Sequence, residues 1–214
     1  MNILYKHIAI DGGIGAGKST LAEAIALELG VAPILEPFEG NPFLAKFYED
    51  PERYAFPVEL SFLAQRFHQM KAAVDGRNLF QGALVSDYVF TKSLLFAKTN
   101  LPAEEFELFK HMSDLMVAQL PKPEVVLYLR PGRERQRVQI KARGRAYEQS
   151  IQDEYLDQIE SAYEKQFRYA RGSRMLWVDT SPLDFVKSAG DLNKLIQLLT
   201  QPWKVGVHKV ALKA

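Results

Sequence analysis

Short apolar segments alternate along the chain with longer stretches in which apolar residues recur every three or four positions. Five segments have the short pattern of a strand, at residues 6–10, 32–35, 83–86, 125–129 and 175–178. Helical patterns cover residues 18–29, 42–74, 87–119, 153–171 and 191–199. Pro51 and Pro57 are expected to break the second of these helical stretches. The alternation predicts an α/β fold in which a five-stranded parallel sheet is flanked by helices.

Polar or glycine-rich residues follow four of the predicted strands. They are the segment 12–19, Glu36, Asp87 and the residues after Arg130. The carboxyl ends of parallel strands lie at one edge of a sheet, and ligands bind in the crevice outside that edge. The sequence therefore predicts that these residues converge on one cleft.

Composition narrows the class of protein. With 27 Lys and Arg against 26 Asp and Glu, the net charge of +1 lacks the basic excess of a general nucleic-acid binder. The 214 residues include no cysteine, which excludes a disulfide scaffold, a thiolate zinc site and a cysteine nucleophile. No apolar run approaches the roughly 18 residues of a membrane span, and no signal peptide is visible. We expect one domain over residues 1–200 and a tail at 201–214, in the cytoplasm, with neither nucleic acid nor membrane as a partner.

A phosphate-binding loop follows the first predicted strand. The pattern GxxxxGK[ST] is matched by Gly12, Gly13, Ile14, Gly15, Ala16, Gly17, Lys18 and Ser19, with Thr20 next. Glycine lets backbone N–H groups turn towards phosphate oxygens, and the following helix adds its positive N-terminal end. Lys18 is expected to reach the β- and γ-phosphates, and the Ser19 hydroxyl to ligate Mg²⁺. The competing interpretation is a plain glycine-rich turn between strand and helix.

The loop by itself does not distinguish a motor, a GTPase switch and a small-molecule kinase. The chain length favours a kinase, because little remains for a regulatory domain, and the guanine-reading pattern Asn-Lys-x-Asp is absent. Asp87 is the candidate for the acidic residue that ends a Walker B strand. Glu36 follows the second predicted strand, where a carboxylate can accept a proton from a substrate hydroxyl, unless it is a solvated turn residue.

Several further segments resemble those of deoxynucleoside kinases, in the same order along the chain. They are Glu36-Pro37, Asn41-Pro-Phe-Leu-x-x-Phe-Tyr48, Pro51-Glu-Arg-Tyr54, Phe62-Leu-Ala-Gln-Arg66, Asp87-Tyr88 and Arg143-Gly-Arg145-x-x-Glu148. The resemblance implies a P-loop kinase fold and transfer of the γ-phosphate of ATP, with Mg²⁺, to the 5′-hydroxyl of a deoxynucleoside. It also implies a homodimer formed through a helical face.

The resemblance assigns roles to individual residues. It implies that Glu36 takes the proton of the 5′-hydroxyl. Tyr48 and Glu148 would hold the 3′-hydroxyl, and Arg66 would lie near the base and the catalytic carboxylate.

A short arginine-rich lid is expected at about residues 139–150. Arg143 and Arg145 flank a glycine there and would close over the phosphates, unless they belong to an exposed basic loop. Gln139 stands where the family often has another arginine. Two cations are candidates to replace that arginine, Arg137 and Lys141.

Two departures from the family concern the base. Glu59 stands where many members have a glutamine. A carboxylate offers only acceptors, which suits the adjacent N1–H and N2–H₂ donors of guanine, whereas adenine places an unprotonated N1 there. At the third strand, the family's Arg and the Asp five residues later are replaced by Asp87 and Lys92, an exchange that resembles bacterial deoxyguanosine kinases. These two are expected to keep an ion pair, and Lys92 to donate to guanine O6 or N7.

The expected substrate is therefore a purine deoxynucleoside, deoxyguanosine first, with a deoxyadenosine or broad-specificity kinase as the alternative. A monophosphate kinase such as thymidylate kinase, and a binding protein without turnover, are further alternatives. Ser86 occupies the family's acidic position, so Asp87 is a candidate to complete the Mg²⁺ shell. Five aromatic residues in these segments are not assigned to the base: Phe38, Phe43, Phe47, Phe62 and Phe90.

Overall fold

A five-stranded parallel sheet forms the centre of the fold, as predicted. The computed structural model describes residues 2–38, 40–76, 82–149, 151–168 and 172–213. The strands are β1 (His7–Gly12), β2 (Leu84–Ser86), β3 (Val125–Arg130), β4 (Arg174–Asp179) and β5 (Gly206–Ala211). They lie in the order β2-β1-β3-β4-β5, and all neighbours pair in parallel. The carboxyl ends of β1, β2 and β3 therefore share one edge.

Helices surround the sheet. They are α1 (Lys18–Leu29), α2 (Leu44–Glu49), α3 (Pro51–Asp75), α4 (Lys92–Asn100), α5 (Ala103–Val117), α6 (Arg133–Arg143), α7 (Asp153–Arg168) and α8 (Ala189–Gln197). Two 3₁₀ turns cover Ala146–Glu148 and Leu198–Thr200. The predicted end of the long helix at 169–171, and position 150 of the predicted lid, lie outside the described residues. Within the part of the chain that the structure describes, no helix has the length and apolar character to cross a membrane.

The longest helix, α3, begins at Pro51 and continues through Pro57. The Asp50 carboxylate accepts the Arg53 N–H at 3.3 Å, and proline suits the first turn because its missing N–H has no helical partner there. Pro57 removes one helical hydrogen bond, but buried α3 side chains such as Val58 hold the helix in the core. The break expected at Pro57 is therefore wrong, and the break at Pro51 is confirmed.

The strand predicted at residues 32–35 is wrong, because the segment makes only one bridge, between Ile34 and Ser86. Beyond that bridge the backbone is bonded to a side chain. The Glu36 N–H donates to Asp87 Oδ1 at 2.6 Å, where a strand would have used a backbone carbonyl. The segment therefore has no ladder of backbone hydrogen bonds to β2, and its bond to Asp87 fixes the position of Glu36.

The fifth strand comes from residues 206–211, which were expected in a tail. It pairs with β4 from Arg174 opposite Gly206 to Asp179 opposite Ala211. Its side chains alternate between half-buried and exposed, and none is fully buried. An edge strand of this kind has no apolar run, which explains why the sequence pattern does not predict it.

The core consists mainly of two groups of buried side chains. The first packs the sheet against α1 and α8 and includes Ile8, Ile10, Leu21, Leu127 and Leu195. The second gathers α2, α3, α4 and α5 and includes Phe47, Val58, Leu63, Ala97 and Phe109. The first group fixes the turn from β1 into α1, and the second holds α3 beside α4.

Deletion of residues 205–214 is expected to destabilise the domain. It removes the ladder between β4 and β5, and each backbone hydrogen bond contributes about 0.5–1.5 kcal/mol net. The melting temperature should fall by roughly 5–15 °C, because 1 kcal/mol corresponds to about 2–4 °C at this size. Calorimetry measures the change against a control lacking only residues 213–214, and equal melting temperatures would show that β5 adds no stability.

Candidate active site

The phosphate loop makes a tight connection between β1 and α1. Gly12, Gly15 and Gly17 have φ angles of 148°, 74° and 80°, which residues with a Cβ rarely adopt. A Cβ at Gly12 would also lie 2.8 Å from the Leu129 carbonyl of β3. Lys18 Nζ donates to the Gly13 carbonyl at 2.8 Å, which holds the ammonium against the loop.

Helix α6 packs directly on this loop. Gln136 Nε2 donates to the Ile14 carbonyl at 2.6 Å. A Cβ at Gly15 would lie 2.8 Å from Ile140 Cγ1 and 2.9 Å from the Gln136 carbonyl. Gly15 is therefore required by the close approach of α6 as well as by its own backbone conformation.

The position expected to hold an additional arginine lies beside the loop. Gln139 Oε1 is 3.5 Å from where a Cβ on Gly17 would stand. Of the two candidate cations, Arg137 pairs with Asp153 at 2.6 Å and Lys141 is exposed. Arg137 thus pairs with Asp153 of α7 and not with the phosphate loop.

Asp87 connects the phosphate loop to the segment that carries Glu36. Its Oδ2 accepts the Ser19 hydroxyl at 2.5 Å, and its Oδ1 accepts the Glu36 N–H at 2.6 Å. The Ser86 hydroxyl donates to the Tyr88 carbonyl at 2.8 Å and is thereby used within its own turn. Among the described residues no group of three or more His, Asp or Glu side chains is arranged to hold a metal. The oxygen atoms of Ser19 and Asp87 are of the type that Mg²⁺ prefers.

Glu36 lies at the centre of a buried charge cluster. Lys92 Nζ donates to its two carboxylate oxygens at 3.0 and 3.2 Å, and Arg66 makes a close ion pair with Oε1. The side chains of Arg66 and Lys92 are only 4% and 6% exposed. Burial alone would raise the pKa of Glu36, but Lys92, Arg66 and Lys18 outweigh it and hold that pKa well below its ordinary value. Glu36 is therefore ionised at physiological pH.

The ion pair expected between Asp87 and Lys92 is wrong. Lys92 binds Glu36 instead, while the oxygens of Asp87 accept from Ser19 and from the Glu36 N–H. Burial and the nearby Lys92 charge lower the pKa of Lys18 to about 8, against the opposing charges of Glu36 and Asp87. The cleft thus gathers several cations around these two carboxylates, which suits a polyanionic substrate.

The two predicted lid arginines both bind Glu148. Arg143 Nη2 donates to its two carboxylate oxygens at 2.6 and 2.5 Å, and Arg145 Nη1 donates to Oε1 at 3.1 Å. The Arg145 guanidinium also lies 3.2 Å from the centroid of the Phe38 ring. Gly144, with φ of 68°, separates the two arginines. A role for them at the phosphates stays a prediction.

Tyr48 lies next to this arginine–glutamate group. Its ring stacks on Tyr147, with centroids 5.9 Å apart and planes 12° apart. Burial and the nearby Tyr155, Glu148 and Tyr147 raise the pKa of Tyr48 well above its ordinary value. Its hydroxyl is therefore protonated and able to donate.

Glu59 projects from α3 and is only 4% exposed. Asn100 Nδ2, at the end of α4, donates to Glu59 Oε1 at 2.7 Å and to the Tyr155 hydroxyl at 3.2 Å. Burial raises the pKa of Glu59 to about 7, although the Arg66 charge and the Asn100 hydrogen bond lower it. Near neutral pH this carboxyl group therefore exists in both protonation states.

One open cleft brings these side chains together. Its lining contains the predicted residues Lys18, Ser19, Glu36, Tyr48, Glu59, Arg66, Asp87, Lys92, Arg143, Arg145 and Glu148. Their convergence is observed, while their individual roles stay predictions. Of the unassigned aromatic residues, Phe38, Phe47 and Phe62 line the cleft, whereas Phe43 and Phe90 pack in the second core group.

Several residues of the cleft and its support are not predicted from the sequence. Phe96 follows Lys92 by four positions on α4, so helical spacing alone places it on the same face. Asn100 and Tyr155 belong to different helices and meet only because α4 packs against α7. Gln136 contacts the loop across 122 residues of sequence. No local pattern signals these last contacts.

The site and fold together define a class. A P-loop motor or switch requires the nucleotide loop and its metal ligands, whereas a kinase also requires a group that receives the proton of the acceptor. Glu36 is predicted to be such a group, and it lines the same cleft as Lys18 and Ser19. The chain therefore has the architecture of a P-loop kinase.

Comparison with known proteins identifies the family. The chain belongs to the deoxynucleoside kinase family, whose model matches residues 8–202. It is 34% identical over 192 residues to deoxyguanosine kinase of Bacillus subtilis (strain 168), covering 88% of this chain and 93% of that protein. It is 31% identical over 165 residues to the deoxyadenosine/deoxycytidine kinase of the same organism, covering 73% and 74%. A solved structure of deoxyadenosine kinase from M. mycoides with bound dATP has a TM-score of 0.75 and 26% identity, covering 92% and 100%.

Substitution of Glu36 by Gln is expected to lower kcat by about 10²–10⁴ while nucleoside binding changes little. The amide keeps the shape of the side chain but cannot take a proton. Steady-state kinetics and calorimetric binding measure the two effects, with Glu52→Gln on the exposed start of α3 as the control. A change confined to KM would mean that Glu36 positions the substrate and does not act as the base.

Substitution of Arg143 by Ala is expected to depress kcat by about 10²–10³, the cost of losing one donor to a developing charge. Nucleoside affinity should fall much less. The exposed Arg53→Ala variant is the matched control. Equal losses in nucleoside affinity and rate would show that Arg143 serves only to hold Glu148.

Proposed function

We propose that this chain transfers the γ-phosphate of ATP to the 5′-hydroxyl of a purine deoxynucleoside, with deoxyguanosine as its best substrate. The observation that carries the proposal is one cleft that contains Lys18, Glu36 and the buried Glu59. The first two suit phosphoryl transfer, and the third suits a base that presents hydrogen-bond donors. The similarity to a protein named deoxyguanosine kinase supports the assignment.

In this proposal the phosphate loop and Lys18 hold the β- and γ-phosphates of ATP. Ser19 Oγ and Asp87 Oδ2, which are hydrogen-bonded neighbours, are oxygen ligands of the type Mg²⁺ uses, because this ion commonly takes one or two protein oxygens together with phosphate oxygens. Bound there, Mg²⁺ supplies positive charge to the phosphate oxygens. Arg143 and Arg145 line the same cleft and would add guanidinium donors as charge develops.

Glu36 would accept the proton of the 5′-hydroxyl as the new O–P bond forms and the bond to the leaving ADP breaks. Lys92 and Arg66 keep its carboxylate ionised and fixed in orientation. A carboxylate with so low a pKa is a weak base. That strength suits a loose transition state in which the attacking hydroxyl has formed little bond to phosphorus.

Different residues of the cleft would bind the sugar and the base of the nucleoside. Tyr48 and Glu148 would bind the 3′-hydroxyl, as the resemblance implies. Ionised Glu59 would accept the adjacent N1–H and N2–H₂ of guanine. Within the described residues Glu59 Oε1 accepts from Asn100 and no hydrogen bond reaches Oε2, so acceptor capacity is available.

Deoxyadenosine is the second candidate. The observation that favours it is the raised pKa of Glu59. With a pKa of about 7, part of the carboxyl population is protonated at neutral pH. A protonated carboxyl presents one donor and one acceptor, which match N1 and the N6 amino group of adenine. The similarity to proteins named deoxyadenosine kinases is consistent with this reading.

A homodimer and a cytoplasmic location are also parts of the proposal. Leu108 and Leu115 lie exposed on one face of α5, where apolar surface is available to a second copy of the chain. The family resemblance, with its helical dimer face, supports the homodimer.

A screen of the four deoxynucleosides with ATP and Mg²⁺ tests the proposal. Deoxyguanosine should give the highest kcat/KM, and Glu59→Gln should shift the deoxyguanosine-to-deoxyadenosine ratio by about ten- to hundredfold towards deoxyadenosine, since mispaired buried groups cost about 1–3 kcal/mol. The exposed Glu105→Gln variant is the control.

Each other outcome has a defined meaning. Wild-type preference for deoxyadenosine would establish the second candidate. Activity only on monophosphates would place the chain among monophosphate kinases, and an absence of nucleoside-dependent ADP formation would overturn the catalytic proposal.

A further inference from the structure

We infer that Asn100 is a specificity-determining residue, which sets the purine preference by holding Glu59 in its acceptor form. The inference rests on the proposed function, in which Glu59 reads the base. It concerns a residue that the cleft lining does not include and that no sequence motif singles out.

The geometry makes Asn100 a donor towards Glu59. Its Nδ2 has two hydrogens, one for Glu59 Oε1 at 2.7 Å and one for the Tyr155 hydroxyl at 3.2 Å. With both hydrogens used, the amide is fixed with its nitrogen facing the carboxyl group. A donor in this place stabilises the ionised carboxylate over the protonated acid.

The neighbouring cations act on Glu59 through their charge and not through a hydrogen bond. Arg66 on α3 and Lys92 on α4 are the cations near Glu59, and both bind Glu36 directly. Glu36 opposes ionisation of Glu59, and Tyr155 on α7 contributes a neutral hydroxyl at this pH. Within the part of the chain that the structure describes, Asn100 makes the one hydrogen bond that reaches Glu59.

The preference for the base follows from the balance of the two Glu59 states. The ionised state accepts from guanine, and the protonated state matches adenine. The pKa of about 7 places this balance near neutral pH, so loss of one charge-assisted hydrogen bond is enough to move it. Asn100, together with the Arg66 charge, therefore favours the ionised state of Glu59.

The experiment measures the kcat/KM profile of deoxyguanosine and that of deoxyadenosine from about pH 6 to about pH 9, and takes their ratio at each pH. In the wild type the ratio should rise with pH, since Glu59 loses its proton as pH passes about 7. In Asn100→Leu the inflection of each nucleoside's own profile should move up by about one pH unit, and the ratio at neutral pH should fall about tenfold, because one pKa unit is a tenfold change in the ionisation equilibrium. Asn100→Asp, which also removes the donor, should lower the ratio further.

Two further variants separate this role from simple support of the helix. Thr99→Val alters the preceding residue of α4, whose hydroxyl donates to the Leu95 carbonyl, and should leave the inflection where it is. In a Glu59→Gln background, Asn100→Leu should no longer move the pH profile, because the amide at position 59 does not titrate. If Asn100→Leu fails to fold, Asn100→Asp carries the test.

Failure of the inference is distinguishable from failure of the proposed function. If the wild type prefers deoxyguanosine but the foldable Asn100 variants keep its ratio and its inflection, the inference alone is overturned. Equal losses for both nucleosides with an unmoved inflection would also overturn it, by showing a structural role. A wild type that prefers deoxyadenosine, or that phosphorylates no nucleoside, would instead contradict the proposed function.

Discussion

The buried carboxylate of Glu36 is the constraint on which the arrangement of the cleft depends. An ionised carboxylate away from water is costly unless cations and hydrogen bonds surround it. Here Arg66 comes from α3, Lys92 from the start of α4, and Asp87 fixes the Glu36 backbone. Removing the carboxylate would leave two buried cations without their direct ion-pair partner. The need to satisfy this group explains why the segment before it forms one bridge to β2 and not a strand.

The sequence predicts what local patterns encode. Strands with buried apolar runs, the phosphate loop and the helix after it are found where expected, because their signals lie within a few neighbouring residues. Strand β5 is missed because an edge strand with alternating exposure has no such run. The partner of Lys92 is missed for a different reason. Glu36 is 56 residues away from Lys92 in the sequence, and spacing carries no information about such a contact.

Helix α6 connects the phosphate loop to the arginine–glutamate group, two parts of the site that are far apart in the sequence. Its middle packs on the phosphate loop through Gln136, and its end supplies Arg143, which binds Glu148. Under the proposed function Glu148 is also a ligand of the sugar. If the proposed function holds, Glu148 would contact both the sugar and the arginines that face the phosphates.

The cations that surround Glu36 also act on Glu59, so the two carboxyl groups share one set of charges. Arg66 lies between two carboxylates, and its close pairing with Glu36 leaves Glu59 with only its longer-range charge. A glutamine at position 59 would be indifferent to this competition, because an amide does not titrate. A carboxylate gains stronger bonds to guanine donors, but only while it remains ionised. Under the proposed function, the cations paired with Glu36 help Glu59 only through their charge, and the amide at the end of α4 adds a neutral donor beside it.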